Sequence, residues 1–487
     1  MVDSHAWIER DAAVVWHGFT QMAGYADNQP IVVEAADGHE LIDVDGNRYL
    51  DAISSLWVNT LGHRVPELDA AIREQLDRVA HSTLLGNGNR TTVELAEALA
   101  AVVPVDQPHV LFASDGAAAV EQALKIAFQF WANRGVGGRT RYLALGNAYH
   151  GDTVGSISLG AGGFGTDLFD PLRFPVVRAP GYDDADWADE ATRLVEQQGD
   201  ELAAVVLEPL VQGAAGMLTT RPGSYGPLVA ACRDYDVLLI CDEVATGFGR
   251  TGTLFASEQC DLRPDLLCIG KGLTAGYLPM AATVASGRVF EAFLGPDLSS
   301  RTFYHGHSYS GNALAAAVAL RHLRLLEERD ILANVAARSA TLGRLLDDRI
   351  APLPAVREVR QQGLLAGVEL APPGDGLRWG RRVCAAAVRR GVLLRPLGDV
   401  VVLVPPLSIS DGELERIVDV LAAAIAELTD PAGLAESAGV ARADGGAAGT
   451  EPGGLAGLRR VGELTDPAGL ADTAEPDGLA GADGGDG

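Results

Sequence analysis

Short apolar runs alternate along the chain with stretches whose apolar positions recur every three or four residues. Val110-Leu111-Phe112-Ala113 is such a run, and so are Ala203 to Leu207, Val237 to Cys241 and Leu266 to Ile269. Each is short and apolar at successive positions, which predicts strands covered on both faces. After Ser114-Asp115-Gly116, the residues Val120, Leu124, Ala127, Phe128 and Trp131 fall at helical spacing. Continuous apolar strands between helices imply an α/β fold with a mainly parallel sheet. In such sheets chemistry gathers just beyond the carboxyl ends of the strands. A smaller α/β layer is expected from about 330 to 429. It has helical patterns at Ala336 to Leu346 and Trp379 to Arg389, and a strand at Val400 to Val404.

The last 58 residues, Asp430 to Gly487, break this pattern. They hold 15 glycines, no aromatic residue, and 11 acids against 3 arginines. The nine residues from Glu427 to Ala435 recur from Glu463 to Ala471. A stretch so poor in apolar side chains cannot offset the entropy of ordering itself. We expect 430–487 to be a disordered, dispensable tail, with a partner-binding tail as the rival.

Composition narrows the class. With 47% hydrophobic residues in 487, a large core can form. The net charge of −27 opposes binding to nucleic acid or to an anionic membrane surface. Five scattered cysteines, Cys232, Cys241, Cys260, Cys268 and Cys384, fit neither a disulfide framework nor a cysteine-rich metal site. They are expected to be small core residues in a reducing, cytoplasmic setting. No apolar run reaches the roughly 18 residues that span a bilayer, and Met1 to Arg10 lacks the apolar core of a signal peptide.

Four features stand where the expected strands end. Ser114-Asp115-Gly116-Ala117-Ala118 joins a strand to a helix, and small residues at a helix N-terminus suit an anion. By itself it reads first as an ordinary capped helix. Tyr149-His150-Gly151-Asp152-Thr153 offers an aromatic face for a planar ring, or a packed loop tyrosine. Asp242 ends a buried strand, where a carboxylate needs a cation or local N–H groups. Lys271 leaves an apolar strand between two glycines; a desolvated amine there is nucleophilic and suits a Schiff base. Together the four match the protein side of a pyridoxal phosphate site.

Over about residues 10 to 425 the chain resembles the class III aminotransferases of fold type I. The most specific stretch runs from Cys241-Asp242-Glu243-Val244-Ala245-Thr246-Gly247-Phe248-Gly249-Arg250-Thr251-Gly252 to Lys271-Gly272. Trp16 to Met22, Ser54 to Trp57 with Gly62-His63, Tyr149 to Thr153, Glu208 to Ala214 and Leu394-Arg395-Pro396 carry a closer likeness, to the branch of the class that acts in biotin biosynthesis. The resemblance implies a fold type I transferase with a large cofactor domain at 66–325 and a small domain from 1–65 and 326–429. It implies that Lys271 holds pyridoxal 5'-phosphate, Asp242 pairs with its ring nitrogen, and Val244 and Tyr149 flank the ring. Backbone groups of Gly116 and Ala117 would hold the phosphate. Ser308, beside His307, would reach the phosphate in a neighbouring subunit, which implies a homodimer. Arg395 would read the substrate carboxylate, a role suited to a guanidinium, with Gly306, Trp57 and Phe19 lining the pocket. No metal is implied.

The implied reaction turns 8-amino-7-oxononanoate into 7,8-diaminononanoate, with S-adenosylmethionine or lysine as donor. Four positions depart from the family. Ala117 stands for a usual Ser, Phe19 for Tyr, Leu56 for the first tryptophan of a pair, and His307 for a common Pro. Loss of an aromatic face at Leu56 weakens stacking on a sulfonium or adenine. Rival expectations are an aminotransferase of a diamine, β-alanine or lysine with pyruvate or 2-oxoglutarate, a racemase or mutase on the same scaffold, and a non-catalytic scaffold protein. Truncation after Thr429 is expected to leave folding and activity unchanged; a large loss of either in the shortened enzyme would overturn the dispensable-tail expectation.

Overall fold

The computed structural model of the chain describes residues 4–28, 30–161, 166–374 and 376–429. The tail expected at 430–487 lies outside the described residues. The main sheet has seven strands, in the order His109–Ala113, Ala281–Ala285, Leu266–Ile269, Leu238–Asp242, Leu202–Leu207, Arg141–Leu145 and Val177–Ala179. Ala281–Ala285 runs antiparallel to both its neighbours. The other pairs are parallel. All four strands expected from the apolar runs are present, within a residue or two of their expected ends. Arg141–Leu145, Val177–Ala179 and Ala281–Ala285 were not expected. The last reads Ala-Ala-Thr-Val-Ala, whose alanines give little strand preference; burial in the sheet decides it.

Every residue of Leu202–Leu207, Leu238–Asp242 and Leu266–Ile269 is buried. Such strands need cover on both faces. The helix Gly116–Asn133 supplies part of it, with Val120, Leu124, Ala127 and Trp131 in the core. Phe128, expected with them, is 48% exposed. It lies about 80° round the helix from Val120, at the edge of the apolar stripe.

The strand register positions the chemistry. Asp242 pairs with Cys268, and Cys241 with Leu207, across adjacent parallel strands. Glu208, Asp242 and Lys271 therefore leave three neighbouring strands at the same edge of the sheet.

The terminal segments build two smaller sheets. In one, Val33–Asp37, Glu40–Asp43 and Arg48–Asp51 are antiparallel, and Val392–Leu393 joins parallel to Arg48–Asp51. Segments more than 300 residues apart thus share one sheet. The other contains Val356–Gln362, Leu365–Leu370, Val400–Leu403 and Arg395–Leu397. The expected helices correspond to Ile331–Arg349 and Trp379–Val388. The five cysteines are buried and unpaired. Among the described residues no helix is long and apolar enough to cross a membrane.

Arg250 ties these pieces together. Its guanidinium is buried and donates to the carbonyl oxygens of Pro405 and of Asn59, the latter at 3.1 Å. Burial pulls its pKa down to about 9, against the pull of Asp51. Replacing it with Leu strands those acceptors away from water. Arg250→Leu is expected to cost about 2–4 kcal/mol, read as a lower denaturant midpoint with an unchanged slope.

Candidate active site

Lys271 follows the buried strand Leu266–Ile269 and takes a left-handed backbone conformation, with φ 41°. Its glycine neighbours make room: a Cβ on Gly270 would lie 3.3 Å from the Ala281 Cβ, and one on Gly272 would lie 3.1 Å from the Phe248 Cβ. The side chain reaches a cavity of about 450 Å³. Its Nζ lies 5.0 Å from the centre of the Trp57 ring. Burial holds the amine below the ordinary lysine pKa, against the charges of Asp242 and Glu208. That favours a neutral, nucleophilic amine.

Asp242 lines the same cavity. One carboxylate oxygen accepts the Val244 backbone N–H at 3.0 Å. The other lies 2.7 Å from His150 Nδ1, in a fully buried pair. Of the cation or local N–H groups expected beside Asp242, the structure supplies a local N–H, from Val244, and adds the His150 ring nitrogen. Burial alone would pull His150 down, but the Asp242 hydrogen bond and the charges of Asp242 and Glu208 outweigh it and hold the imidazole above its ordinary value. His150 Nε2 is buried and has no hydrogen-bond partner among the described residues. Glu208 also lines the cavity, and burial pushes its pKa up to about 7. Neither His150 nor Glu208 had a role in the sequence expectations. Both stand in segments singled out there, but only the fold turns them toward Asp242.

The helix Gly116–Asn133 opens onto the cavity. Asp115 caps it, accepting the Ala118 N–H at 2.9 Å. The first N–H groups of a helix have no partner within it, and the dipole favours an anion there. Gly116 is required by space, because a Cβ would come 2.7 Å from a Val244 methyl. Tyr149 and Val244 line the cavity as well. Burial raises the Tyr149 hydroxyl pKa, and so do the charge and hydrogen bond of Asp152.

Seven sequence-predicted residues therefore meet at one cavity: Lys271, Asp242, Tyr149, Gly116, Ala117, Val244 and Trp57. Phe19, Gly306, His307, Ser308 and Arg395 are not among its lining. Phe19 is 61% exposed. Gly306 packs against Leu85, and the Ser308 carbonyl accepts from His81 Nε2 at 2.7 Å. Arg395 is half-buried in the strand Arg395–Leu397.

The cavity residues fit pyridoxal 5'-phosphate. The helix end that only a glycine can open suits the phosphate, Asp242 suits a protonated ring nitrogen, Tyr149 and Val244 suit a flat ring, and the Lys271 amine suits the aldehyde. A cavity of this size is ordinary for a small-molecule site.

Residues 22–425 match the family model described as aminotransferase class-III. The chain is 48% identical over 442 residues to the adenosylmethionine-8-amino-7-oxononanoate aminotransferase of Nitratidesulfovibrio vulgaris, an alignment covering 86% of this chain and 81% of that protein. To the enzyme of the same name from Anoxybacillus flavithermus it is 41% identical, covering 89% and 99%. Among solved structures, the fold is similar to the Methanocaldococcus jannaschii enzyme of that name, with TM-score 0.85 and 38% identity over 87% of this chain and 99% of that one. It is also similar to an (S)-enantioselective omega-transaminase from Thermomicrobium roseum, with TM-score 0.82 and 34% identity over 88% and 100%.

The contact between Gly116 and Val244 yields a test. Gly116→Ala is expected to weaken pyridoxal 5'-phosphate binding about tenfold or more, because either the cradle or the ring slot has to shift. Titration of the cofactor-free protein, followed by absorbance, measures it.

Proposed function

The chain belongs to the class III aminotransferases, and from that premise we propose that it aminates 8-amino-7-oxononanoate to 7,8-diaminononanoate, the reaction of biotin synthesis, with S-adenosylmethionine as donor. It is a pyridoxal-phosphate aminotransferase. The observation that carries the proposal is the meeting of Lys271, Asp242, Tyr149 and Gly116 at one cavity, in a chain up to 48% identical to proteins named for this reaction.

Bound pyridoxal 5'-phosphate supplies an electron sink for breaking the C–H bond next to the transferred nitrogen. The protein's part is to hold and move protons around it. Lys271 Nζ, favoured as a neutral amine by its burial, would take that proton and return it on the far side of the transferred nitrogen, two bonds away, as base and then acid. The Asp242 carboxylate, paired with His150, would favour a proton on the ring nitrogen of the bound cofactor. The N-terminal amides of Gly116 and Ala117 would hold the phosphate, and Tyr149 and Val244, which line the same cavity, would confine the ring. Trp57 would wall the substrate pocket, and Arg395 is proposed to meet the substrate carboxylate, although Arg395, Phe19 and Gly306 do not line the cavity of this chain. Donor and acceptor use one site in turn, so ping-pong kinetics follow.

The proposal includes a homodimer with shared sites, in which the stretch holding His307 and Ser308 completes the neighbour's phosphate site. Its support is that neither residue lines the cavity of its own chain, and that Tyr304 and Tyr309 around them are 67% and 68% exposed. The domain division, 1–65 with 326–429 against 66–325, belongs to the same proposal. Five buried, unpaired cysteines support a cytoplasmic setting.

A second reading is an ω-amine aminotransferase with a keto acid as acceptor. Phe19 and Leu56, where the family has aromatic hydroxyl and indole groups, favour it, as does the likeness to the Thermomicrobium roseum omega-transaminase. A donor screen against 8-amino-7-oxononanoate separates the two. Diaminononanoate is expected with S-adenosylmethionine, and lysine is the competing donor; no product from any donor would sink the substrate assignment while leaving the class intact. Lys271→Ala is expected to yield protein to which borohydride no longer fixes the cofactor, with activity down about a thousandfold or more.

A further inference from the structure

Four consecutive residues that are not glycine, Ser54, Ser55, Leu56 and Trp57, have positive φ: 49°, 58°, 138° and 64°. Side chains rarely adopt this region, and each such residue costs free energy that the surroundings must offset. A run of four is a left-handed turn, here between the strand Arg48–Asp51 and the cavity. It ends on Trp57, which lines the cavity beside Lys271 and packs on Gly213, where a Cβ would lie 3.1 Å from the indole ring. The indole N–H is buried without a partner among the described residues, so the turn is not explained by a bond to that group.

Around the turn is a buried carboxylate. Asp51 is fully buried. Its Oδ1 accepts the Ser55 backbone N–H at 2.9 Å, and its Oδ2 accepts the Ser55 hydroxyl at 2.8 Å. His63 Nε2 lies 3.0 Å from the same Oδ2, and the Asn59 amide nitrogen lies 3.2 Å from His63 Nδ1. The Ser54 hydroxyl donates to the Val404 carbonyl at 2.6 Å. None of Asp51, Ser55 and His63 lines the cavity.

We infer that Asp51 and His63 are positioning residues, a buried clamp whose bonds to Ser55 hold the left-handed turn and so set the Trp57 ring as a wall of the substrate pocket. The inference rests on the proposed reading of that cavity as the site of amino transfer. Asp51 anchors the turn from the strand Arg48–Asp51, which also pairs with Val392–Leu393. The wall is thereby keyed to the sheet that joins the two ends of the chain. Arg395 lies two residues beyond that strand, so the carboxylate-reading residue and the indole wall hang on one frame.

The test uses the cofactor-loaded full chain and whichever amine and ketone the unaltered enzyme turns over, so failure of 8-amino-7-oxononanoate as a substrate counts against the substrate assignment and not against the clamp. Asp51→Asn is expected to raise KM for the acceptor about tenfold with kcat within about threefold, because a displaced wall loses binding shared by ground and transition states. Cofactor affinity, read by absorbance titration, should stay within about threefold, since the phosphate cradle and Asp242 are untouched. In a Trp57→Ala background the same Asp51→Asn change should alter KM by less than about twofold, because the clamp acts through that ring. If Asp51→Asn does not fold, Ser55→Ala, which removes one hydroxyl bond to Asp51, carries the test with an expected KM rise of about threefold. An equal KM rise with and without Trp57, or a joint fall in kcat and cofactor affinity at unchanged KM, would overturn the inference.

Discussion

An amine and a carboxylate held out of water at the ends of two adjacent parallel strands are the constraint on which the rest depends. Asp242 pairs with Cys268 in the sheet, so the chain has only to continue through Ile269 and Gly270 to bring Lys271 beside it. A shift of one residue in that register would turn Asp242 to the other face of the sheet. The fully buried strands on either side make such a slip costly. The apolar core therefore stabilises the fold and also fixes the distance between the two reactive groups.

Burial sets the chemistry of those groups, and it acts oppositely on them. Desolvation disfavours the charged form, so it pushes Lys271 toward the neutral amine and raises the pKa of Glu208. A buried carboxylate such as Asp242 needs hydrogen-bond support. His150 and the Val244 amide provide it, one on each oxygen of Asp242. A buried pair of this kind adds little to stability. Its value is that the carboxylate has one orientation and one set of partners.

The small sheets serve the site from a distance. Arg48–Asp51 and Val392–Leu393 come from opposite ends of the described chain, yet they are neighbours. Trp57 follows the first and Arg395 the second. Arg250, in the loop after Asp242, reaches carbonyls at Asn59 and Pro405 and so joins the large sheet to both terminal segments. The strained turn at Ser54 to Trp57 fits this arrangement. Local backbone preference opposes it, and it is met by the buried Asp51 carboxylate, which accepts the Ser55 N–H and hydroxyl, and by the Ser54 hydroxyl donating to the Val404 carbonyl.

Much of this was legible in the sequence. Four core strands, the helix after Gly116, the small-domain helices and the cavity residues Lys271, Asp242, Tyr149 and Gly116 follow from apolar runs, from glycines where backbone must come close, and from charged residues at the edge of a core. These are local signals, and the family resemblance ordered them. The strand Ala281–Ala285 was not legible, because three of its five residues are alanine and its pairing partners are far away in sequence. The exposed edge position of Phe128, the turning of His150 onto Asp242, the buried Glu208, and the run of left-handed residues before Trp57 were likewise decided only in three dimensions. What the sequence determined by itself was which residues are able to do the chemistry, since side-chain type and local period are properties of short segments. Which of them share a cavity, and which partners fix their charge and direction, depends on contacts between residues tens to hundreds of positions apart, and those exist only once the strands have found their register.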